Sequence, residues 1–317
     1  MTTTSNTRTP LLVLVGPTAV GKTRLSLDIA KKFDAEIISG DSMQVYRGMD
    51  IGTAKLAVND REGIPHHMMD IHNPDESFSV AEFQTRCTSL IEDISSRNKL
   101  PFIVGGTGLY VESVAYGFEF SESGGDESFR TEMAAYAEQF GAQALHDRLA
   151  AIDPSSSARL HPNDTRRVIR ALEVFHMTGR TMSEQLEGQQ RVSPYELCII
   201  GLTMDRALLY KRIEARVDEM LEQGLVQEVE SLLQAGYERS LVAMQGLGYK
   251  EIASYLAGER SYESAVELLK RDTRHFAKRQ LSWFRRMKDI HWVDVTDGNQ
   301  AEEHFLEICS LLAGKFR

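Results

Sequence analysis

Residues 16 to 23 read Gly16-Pro17-Thr18-Ala19-Val20-Gly21-Lys22-Thr23 and fit the pattern GxxxxGK[ST]. That pattern is an anion cradle. Its glycines let backbone N–H groups turn inward around a phosphate, and a following helix N-terminus adds positive potential. Lys22 can neutralise an outer phosphate, and the Thr23 hydroxyl can reach a magnesium ion. A second candidate, Asp41, follows in Ser39-Gly-Asp41-Ser42-Met43-Gln44. It is placed to act as a base or, through water, on a metal, or else to cap a turn. A third segment, Gly105-Gly106-Thr107-Gly108, stands where a hydrolysing nucleotidase carries a metal-binding acid at a strand end. No carboxylate occupies it, which argues against a motor or GTPase. Close backbone approach to a ligand, with the Thr107 hydroxyl as a contact, and a plain glycine turn both suit these four residues.

Three groups of cations extend the inventory. Arg166, Arg167 and Arg170 share one helical turn, and Arg212 and Arg216 are spaced four apart. The latter pair can reach a diphosphate or pair with Glu214 and Asp218. Residues 270–288 carry Lys270, Arg271, Arg274, Lys278, Arg279, Arg285, Arg286 and Lys288 against one acid, Asp272. In an acidic chain, a cationic face this dense reads as contact with a polyanion. The run Pro65-His66-His67-Met-Met-Asp70-Ile-His72 has no metal-site spacing, because adjacent strand residues point to opposite faces. Its histidines are expected to be structural or substrate-lining.

The elements that must position these groups follow from hydrophobic periodicity. Leu11–Val15 reads as a buried strand, Lys22 to Phe33 as a helix, and 36–39 as a second strand ending just before Asp41. Ser79-Val-Ala-Glu82 is a capping-box signature for a helix to about residue 98. Residues 101–104 form a third strand, which runs into the Gly105 segment. This alternation predicts an α/β fold with a P-loop NTPase-like parallel sheet and helices on both faces. Adjacent strand ends then place Asp41 and Thr107 in one crevice with the P-loop. From 119 to 195 no strand is predicted, only helical stretches broken at Gly124-Gly125, Gly141, Pro154 and Gly179. One helix runs from Thr165 to Thr178, capped by Asp164, with Val168, Leu172 and Phe175 on its buried stripe. The expected organisation is a core of 1–118 and 196–317 with an all-helical insertion at 119–195. In the second half of the core, 197–202 reads as a strand. Helices are expected from Asp205 to Gln223, with Leu209, Ile213, Val217 and Met220 buried, and over 261–288, with Phe276, Gln280, Trp283 and Met287 as a core stripe. A last strand at 292–295 and a closing helix at 301–312 complete the reading.

Composition bounds the partners. The chain has 317 residues, 42% hydrophobic and 26% charged, with 46 acids, 36 bases and a net charge of −10. That balance is ordinary for a soluble globular protein, and the acidic total argues against indiscriminate nucleic-acid binding. The Thr/Ser/Asn-rich residues 1–9 are expected to fray. Five apolar residues before Gly16-Pro17 are too few for a signal core or a membrane span. Cys87, Cys198 and Cys309 are scattered, which fits a reducing cytoplasm rather than a disulfide framework.

Taken in order, these blocks resemble the bacterial tRNA dimethylallyltransferase family. The resemblance is carried by Gly16–Thr23, by Asp41-Ser-Met-Gln44-Val-Tyr46-Arg-Gly-Met-Asp50-Ile-Gly-Thr53-Ala-Lys55 and by Pro65-His66-His67. It continues through Val104-Gly-Gly-Thr107-Gly-Leu-Tyr110, His161-Pro-Asn-Asp164, Arg170-Ala-Leu-Glu173 and Gln245-Gly-Leu-Gly248-Tyr249-Lys250. The last blocks are Ala277-Lys278-Arg279-Gln280 and Trp283-Phe284-Arg285. The resemblance implies transfer of a dimethylallyl group from dimethylallyl diphosphate to N6 of adenosine 37, next to the tRNA anticodon. It places the diphosphate and Mg2+ on Gly16 to Thr23, with Thr23 on the metal and Arg216 and Arg212 on the diphosphate side. Asp41 becomes the general base and Thr107 a second contact at the reacting centre, with Lys22 and Arg216 completing the catalytic set. The tRNA anticodon stem-loop is expected on Asp41, Ser42, Met43 and Gln44, on Arg130, and on Arg166, Arg167, Val168, Ile169 and Arg170. Further contacts are expected on Gln245, Gly246, Leu247, Gly248, Tyr249 and Lys250, and on Lys278 and Arg279. Eukaryotic relatives carry a C-terminal zinc finger, and the missing Cys/His pairing here implies the zinc-free bacterial form. A cytoplasmic monomer with no membrane association is expected.

Three other readings remain open at this level. A small-molecule kinase accounts for the P-loop and Asp41 but leaves the arginines of the insertion and the 270–288 helix without a task. Prenylation of free AMP shares the chemistry but needs no helical insertion. An RNA-binding protein with a nucleotide switch leaves Asp41 and Gly105–Gly108 unexplained.

Overall fold

The computed structural model describes residues 8–120, 125–189 and 191–316. The expected fraying of 1–9 falls mostly outside these residues, as does the break at Gly124. In chain order the first elements are β1 (Pro10–Val15), α1 (Lys22–Phe33), β2 (Ala35–Ser39), β3 (His66–His67), α2 (Val80–Ser96), β4 (Leu100–Gly105) and α3 (Gly108–Ala115). Next come α4 (Glu127–Phe140), α5 (Ala142–Ile152), α6 (Pro154–Arg159), α7 (Thr165–Thr178) and α8 (Met182–Glu187). The chain continues with β5 (Glu196–Thr203), α9 (Arg206–Glu222), α10 (Leu225–Gln234), α11 (Tyr249–Leu256), α12 (Tyr262–Phe284), β6 (Ile290–Asp294) and α13 (Ala301–Lys315). Two compact units result, one of residues 1–115 with 193–317 and one of 116–192.

In the larger unit the strands form one parallel sheet in the order β3-β2-β4-β1-β5-β6. The P-loop strand β1 lies between β4 and β5, with Val13 beside Ile103 on one edge and Ile199 on the other. Leu11 to Val15 are fully buried, so both faces of the strand are covered. Leu12 and Leu14 pack with Leu27 and Ile29 of α1 and with Ile308 and Leu312 of α13. A second core gathers Val45, Met49, Val217, Leu225, Leu232, Tyr249 and Leu269 from α9 to α12 and the loop after β2. Strands β1, β2, β4 and β5 extend the expected ones by a residue or two, while β6 begins two residues earlier and ends one earlier than the expected 292–295. The two-residue β3, too short to carry a periodic signal, was not expected, nor were α10 and α11.

The cap of α2 forms only by half. Ser79 accepts from the Glu82 amide at 3.1 Å, while the Glu82 carboxylate turns to His72 at 3.0 Å and Arg86 at 2.9 Å. In the smaller unit, α4, α5 and α7 enclose Met133, Leu145, Leu149, Val168, Ile169 and Leu172. Gly179 closes α7 with φ +69°, as the sequence suggests, but Asp164 makes no side-chain cap and pairs with Arg167 instead. Phe175 is 36% exposed, so the expected stripe is displaced: Ile169 and Ala171 are buried where Phe175 was expected. Among the described residues no helix is long and apolar enough to cross a membrane.

Candidate active site

The P-loop begins where β1 ends. Gly21 is the N-cap of α1 with φ +107°, a left-handed conformation that an L side chain rarely adopts. Lys22 folds back over the loop, and its Nζ donates to the Gly16 carbonyl at 2.8 Å and the Pro17 carbonyl at 2.7 Å. Beyond the loop opens a cavity of about 830 Å³. Thr18, Ala19, Gly21, Lys22 and Thr23 line it, together with Asp41, Gln44, Arg212 and Arg216. Gly16, Pro17 and Val20 do not. The first two hold Lys22 through their carbonyls, and Val20 is packed into the core at 1% exposure. What the structure shows of these three is a scaffolding role in the loop.

A second cavity of about 320 Å³ shares Thr18, Asp41, Arg216 and Phe276 with the first. Its other walls include Ser42, Met43, Thr107, Arg279 and residues 245–250. Asp41 and Arg216 thus stand where two cavities meet. Parallel pairing explains why: β2 and β4 end side by side, and the loops after them are tied together. The Gly40 amide donates to the Val104 carbonyl at 2.8 Å, and the Thr107 amide to the Gly40 carbonyl at 3.2 Å. Thr107 Oγ1 accepts from the Ser42 amide at 3.1 Å, and Asp41 Oδ1 from the Met43 amide at 2.8 Å. Asp41 is therefore both turn former and cavity residue. Gln44 is less available than expected, since its side chain accepts from Ser39 at 2.8 Å and donates to the Thr53 carbonyl at 3.2 Å.

Electrostatics sharpen the junction. Withdrawal from water raises the Asp41 pKa above its ordinary value, and the Met43 and Gln44 amides with Lys22 and Arg216 only partly oppose this. Burial, followed by repulsion from Arg216, lowers Lys22 to about 7 against the attraction of Asp41. The arginines of α9 are kept for the cavity by α12. Arg274 takes Glu214 at 2.5 Å and Lys270 takes Asp218 at 2.6 Å, which removes both acids that stood next to Arg212 and Arg216 in sequence.

The other expected contacts divide by exposure. Gln245 is exposed, and Lys278 and Arg279 lie on the exposed face of α12, where they form no ion pair among the described residues. Lys250 pairs with Glu251 at 3.3 Å and Asp272 at 3.6 Å. Arg166 and Arg167 are exposed on α7. Arg130 and Arg170 converge on the fully buried Glu173, at 2.8 and 2.6 Å. Two expected tRNA contacts are corrected: the Val168 and Ile169 side chains belong to the core of the helical unit. Gly248 and Tyr249 are buried but border the second cavity, and the Tyr249 hydroxyl donates to Glu228 at 2.6 Å. The histidines act locally: His67 meets buried Glu36 at 2.8 Å, and His66, which also lines the large cavity, meets the Ile64 carbonyl at 2.8 Å.

Two residues that the sequence did not assign to the site complete it. Glu228 accepts from the Asp50, Ile51 and Gly52 amides at 3.0, 2.7 and 3.1 Å and so folds the 50–55 wall of the cavity. No local pattern announces it. Gln280 bonds to the P-loop amide of Thr18 and to the Gly106 carbonyl. Its signal was visible: a polar residue on an otherwise apolar helical stripe.

Comparison with known proteins places this geometry. A sequence profile described as IPP transferase matches residues 44–287. The chain is 52% identical over 307 residues to a tRNA dimethylallyltransferase of Geobacillus thermodenitrificans, covering 97% of each. It is 50% identical over 309 residues to one of Bacillus pumilus, covering 98% of this chain and 97% of that one. Among solved structures, the full-length tRNA isopentenylpyrophosphate transferase of Bacillus halodurans superposes with a TM-score of 0.74 at 49% identity, covering 97% of both chains. A eukaryotic dimethylallyltransferase, described as acting on tRNA, gives a TM-score of 0.82 at 31% identity, covering 97% of this chain and 79% of that one.

Proposed function

The chain belongs to the IPP transferase family, and from that premise we propose that it transfers a dimethylallyl group from dimethylallyl diphosphate to N6 of adenosine 37 in tRNA, beside the anticodon. The observation that carries the reading is the placement of Asp41 and Arg216 at the junction of two cavities, with Lys22 and Thr23 in the first and Thr107 in the second. The diphosphate occupies the P-loop side. Its charge answers Lys22, Arg216 and Arg212, and the apolar side chains of Ile51, Met220 and Phe276 offer the dimethylallyl tail a dry wall. The adenine enters from the second cavity, out of its stack, as chemistry on a base requires.

As the N6–C1 bond forms, the C1–O bond breaks and the diphosphate leaves into the loop. The N6 proton passes to the Asp41 carboxylate. A raised pKa suits that task, because a base works best when its proton affinity approaches the operating pH. Charge builds on the oxygens of the leaving diphosphate, and Lys22 and Arg216 at the cavity answer it there, so they stabilise the transition state more than the ground state. Thr107 holds the Ser42 amide and with it the turn that carries Asp41.

The residues fit magnesium. Thr23 and Asp41 offer oxygens to the cavity, and among the described residues no group of three or more His, Cys, Asp or Glu is gathered into a metal cage. Magnesium takes few protein oxygens and completes its shell with phosphate and water. Thr23 would hold it, and when bound it supplies positive charge to the diphosphate. Lys278 and Arg279 on α12, and Arg166, Arg167, Arg170 and Arg130 on the helical unit, provide cations for the stem-loop backbone, and Gln245 at the second cavity adds a neutral hydrogen-bonding group. Transfer of label from dimethylallyl diphosphate, assayed side by side on tRNA and AMP, tests the reading. Incorporation into tRNA alone supports it. Incorporation into AMP alone replaces the acceptor, and phosphoryl transfer from ATP without prenyl transfer overturns the reaction.

A further inference from the structure

Gln280 lies on the buried face of α12 between Ala277 and Phe284, apolar residues one turn to either side, and it is 6% exposed. A carboxamide taken out of water is costly unless both its ends find partners. Both do, and each partner belongs to a loop of the active site. Oε1 accepts from the Thr18 amide at 2.9 Å, and Nε2 donates to the Gly106 carbonyl at 3.0 Å. Thr18 is in the P-loop, and Gly106 leads from β4 into Thr107. A Cβ on Gly106 would collide with the Gln280 amide nitrogen. The second glycine of Gly105-Gly106 is thus the opening through which α12 reaches both loops.

This bond has a consequence for anion binding. An amide tied to α12 is not offered to an anion, so the Thr18 bond sets which N–H groups of the loop face the cavity. Lys22 secures the same stretch from the other side, through Gly16 and Pro17. The loop is therefore held between a lysine from α1 and a carboxamide from α12.

We propose that Gln280 is a positioning residue for the donor diphosphate: by joining Thr18 to Gly106 it holds the P-loop in register with the Thr107 turn. The proposal rests on the reading of the P-loop as the diphosphate site. It also makes α12 a connection between its exposed cations, Lys278 and Arg279, and the donor loop one residue further on.

The test is steady-state prenyl transfer with dimethylallyl diphosphate and tRNA varied separately. Gln280→Met keeps the length of the side chain and removes both bonds. Its kcat/KM for the donor should fall about 100-fold, the scale of a misplaced reacting group, with KM for tRNA within about threefold of wild type. Gln280→Glu adds a readout that a packing role would not move. As a carboxylate it keeps an acceptor for Thr18 but faces the Gly106 carbonyl and the diphosphate with negative charge. Protonated, it again presents one acceptor and one donor, as the amide does. The ratio of the variant's kcat/KM for the donor to that of wild type should rise about tenfold as pH falls from about 8 to about 6. A flat ratio, or a KM for tRNA that rises in step with that for the donor, overturns the proposal. The glutamate variant remains decisive if the methionine variant fails to fold. Wild-type protein inactive with dimethylallyl diphosphate would instead overturn the diphosphate reading on which the proposal rests.

Discussion

Asp41 in the larger unit and Glu173 in the helical one are both carboxylates withdrawn from water beside arginines, and their acidities move in opposite directions. For each, burial is the largest influence and raises the pKa. At Glu173 the net shift is downward, because Arg170, the Asp126 amide and Arg130 bond directly to the carboxylate at 2.6, 2.8 and 2.8 Å. At Asp41 the cations act through space and burial wins. The difference teaches that the presence of arginines does not decide what a buried acid does; direct bonding does. Asp41 keeps its appetite for a proton. Glu173 has none to spare, and its work is to hold two arginines in fixed orientation on the helical unit.

The strongest way to break the chemical side of this comparison is to remove the cation that answers the diphosphate. Lys22→Ala should lower kcat about 10²–10³-fold, the cost of deleting one donor from a charge-stabilising site. Binding of tRNA should be unchanged, and equal loss of tRNA affinity would end the division of labour between P-loop and basic surfaces. Because Lys22 sits at about 7 in the free protein, donor binding must draw in a proton above that pH. Donor affinity measured by titration should therefore weaken toward about tenfold per pH unit above 7, and the contribution of Lys22 should vanish in the alanine variant.

On the other side, Glu173→Gln should cost about 1.5–3 kcal/mol in urea unfolding, the range for hydrogen bonds to a charged group. Its pH sign is fixed by the downward shift. The stabilisation is complete above the ordinary carboxylate value of 4.5 and is lost as pH falls through the folded value, so variant and wild type should converge in acid. Affinity for tRNA should fall with kcat at saturating tRNA preserved. A lowered kcat would make Glu173 more than a holder of arginines.

The smallest expected effect concerns the exposed face of α12. Replacing Lys278 and Arg279 by alanine should flatten the slope of log K against log salt by about 0.7–0.9 for each lost phosphate contact. An unchanged slope would return both to a solvated face.

Much of this arrangement was legible in the sequence because it is locally encoded. The bounds of α1 and α7 match the expected ones to the residue, since apolar spacing and the glycine at 179 mark them within a turn. Asp41, Lys22 and Thr107 come together because parallel strands end side by side. What was not legible depends on partners far along the chain. Ile169 sits in a run of basic residues, yet packing of α7 against α4 and α5 turns it inward beside Val168. Tyr249 borders the second cavity, but its hydroxyl is committed to Glu228, 21 residues earlier in the chain. Gln280 reaches a P-loop 262 residues away. The freedom of Arg212 and Arg216 depends on salt bridges from α12 that no spacing within α9 reveals.

The central claim, that Asp41 is held as the base between two cavities, is tested most directly by single-turnover prenyl transfer at saturating tRNA and donor with Asp41→Asn. The substitution keeps the size of the side chain and its acceptor for the Met43 amide while removing the proton acceptor. The account predicts a rate lowered about 10²–10⁴-fold with both substrates still bound. A variant within about threefold of wild type, below even the low end of that range, would reduce Asp41 to a turn former and contradict the account.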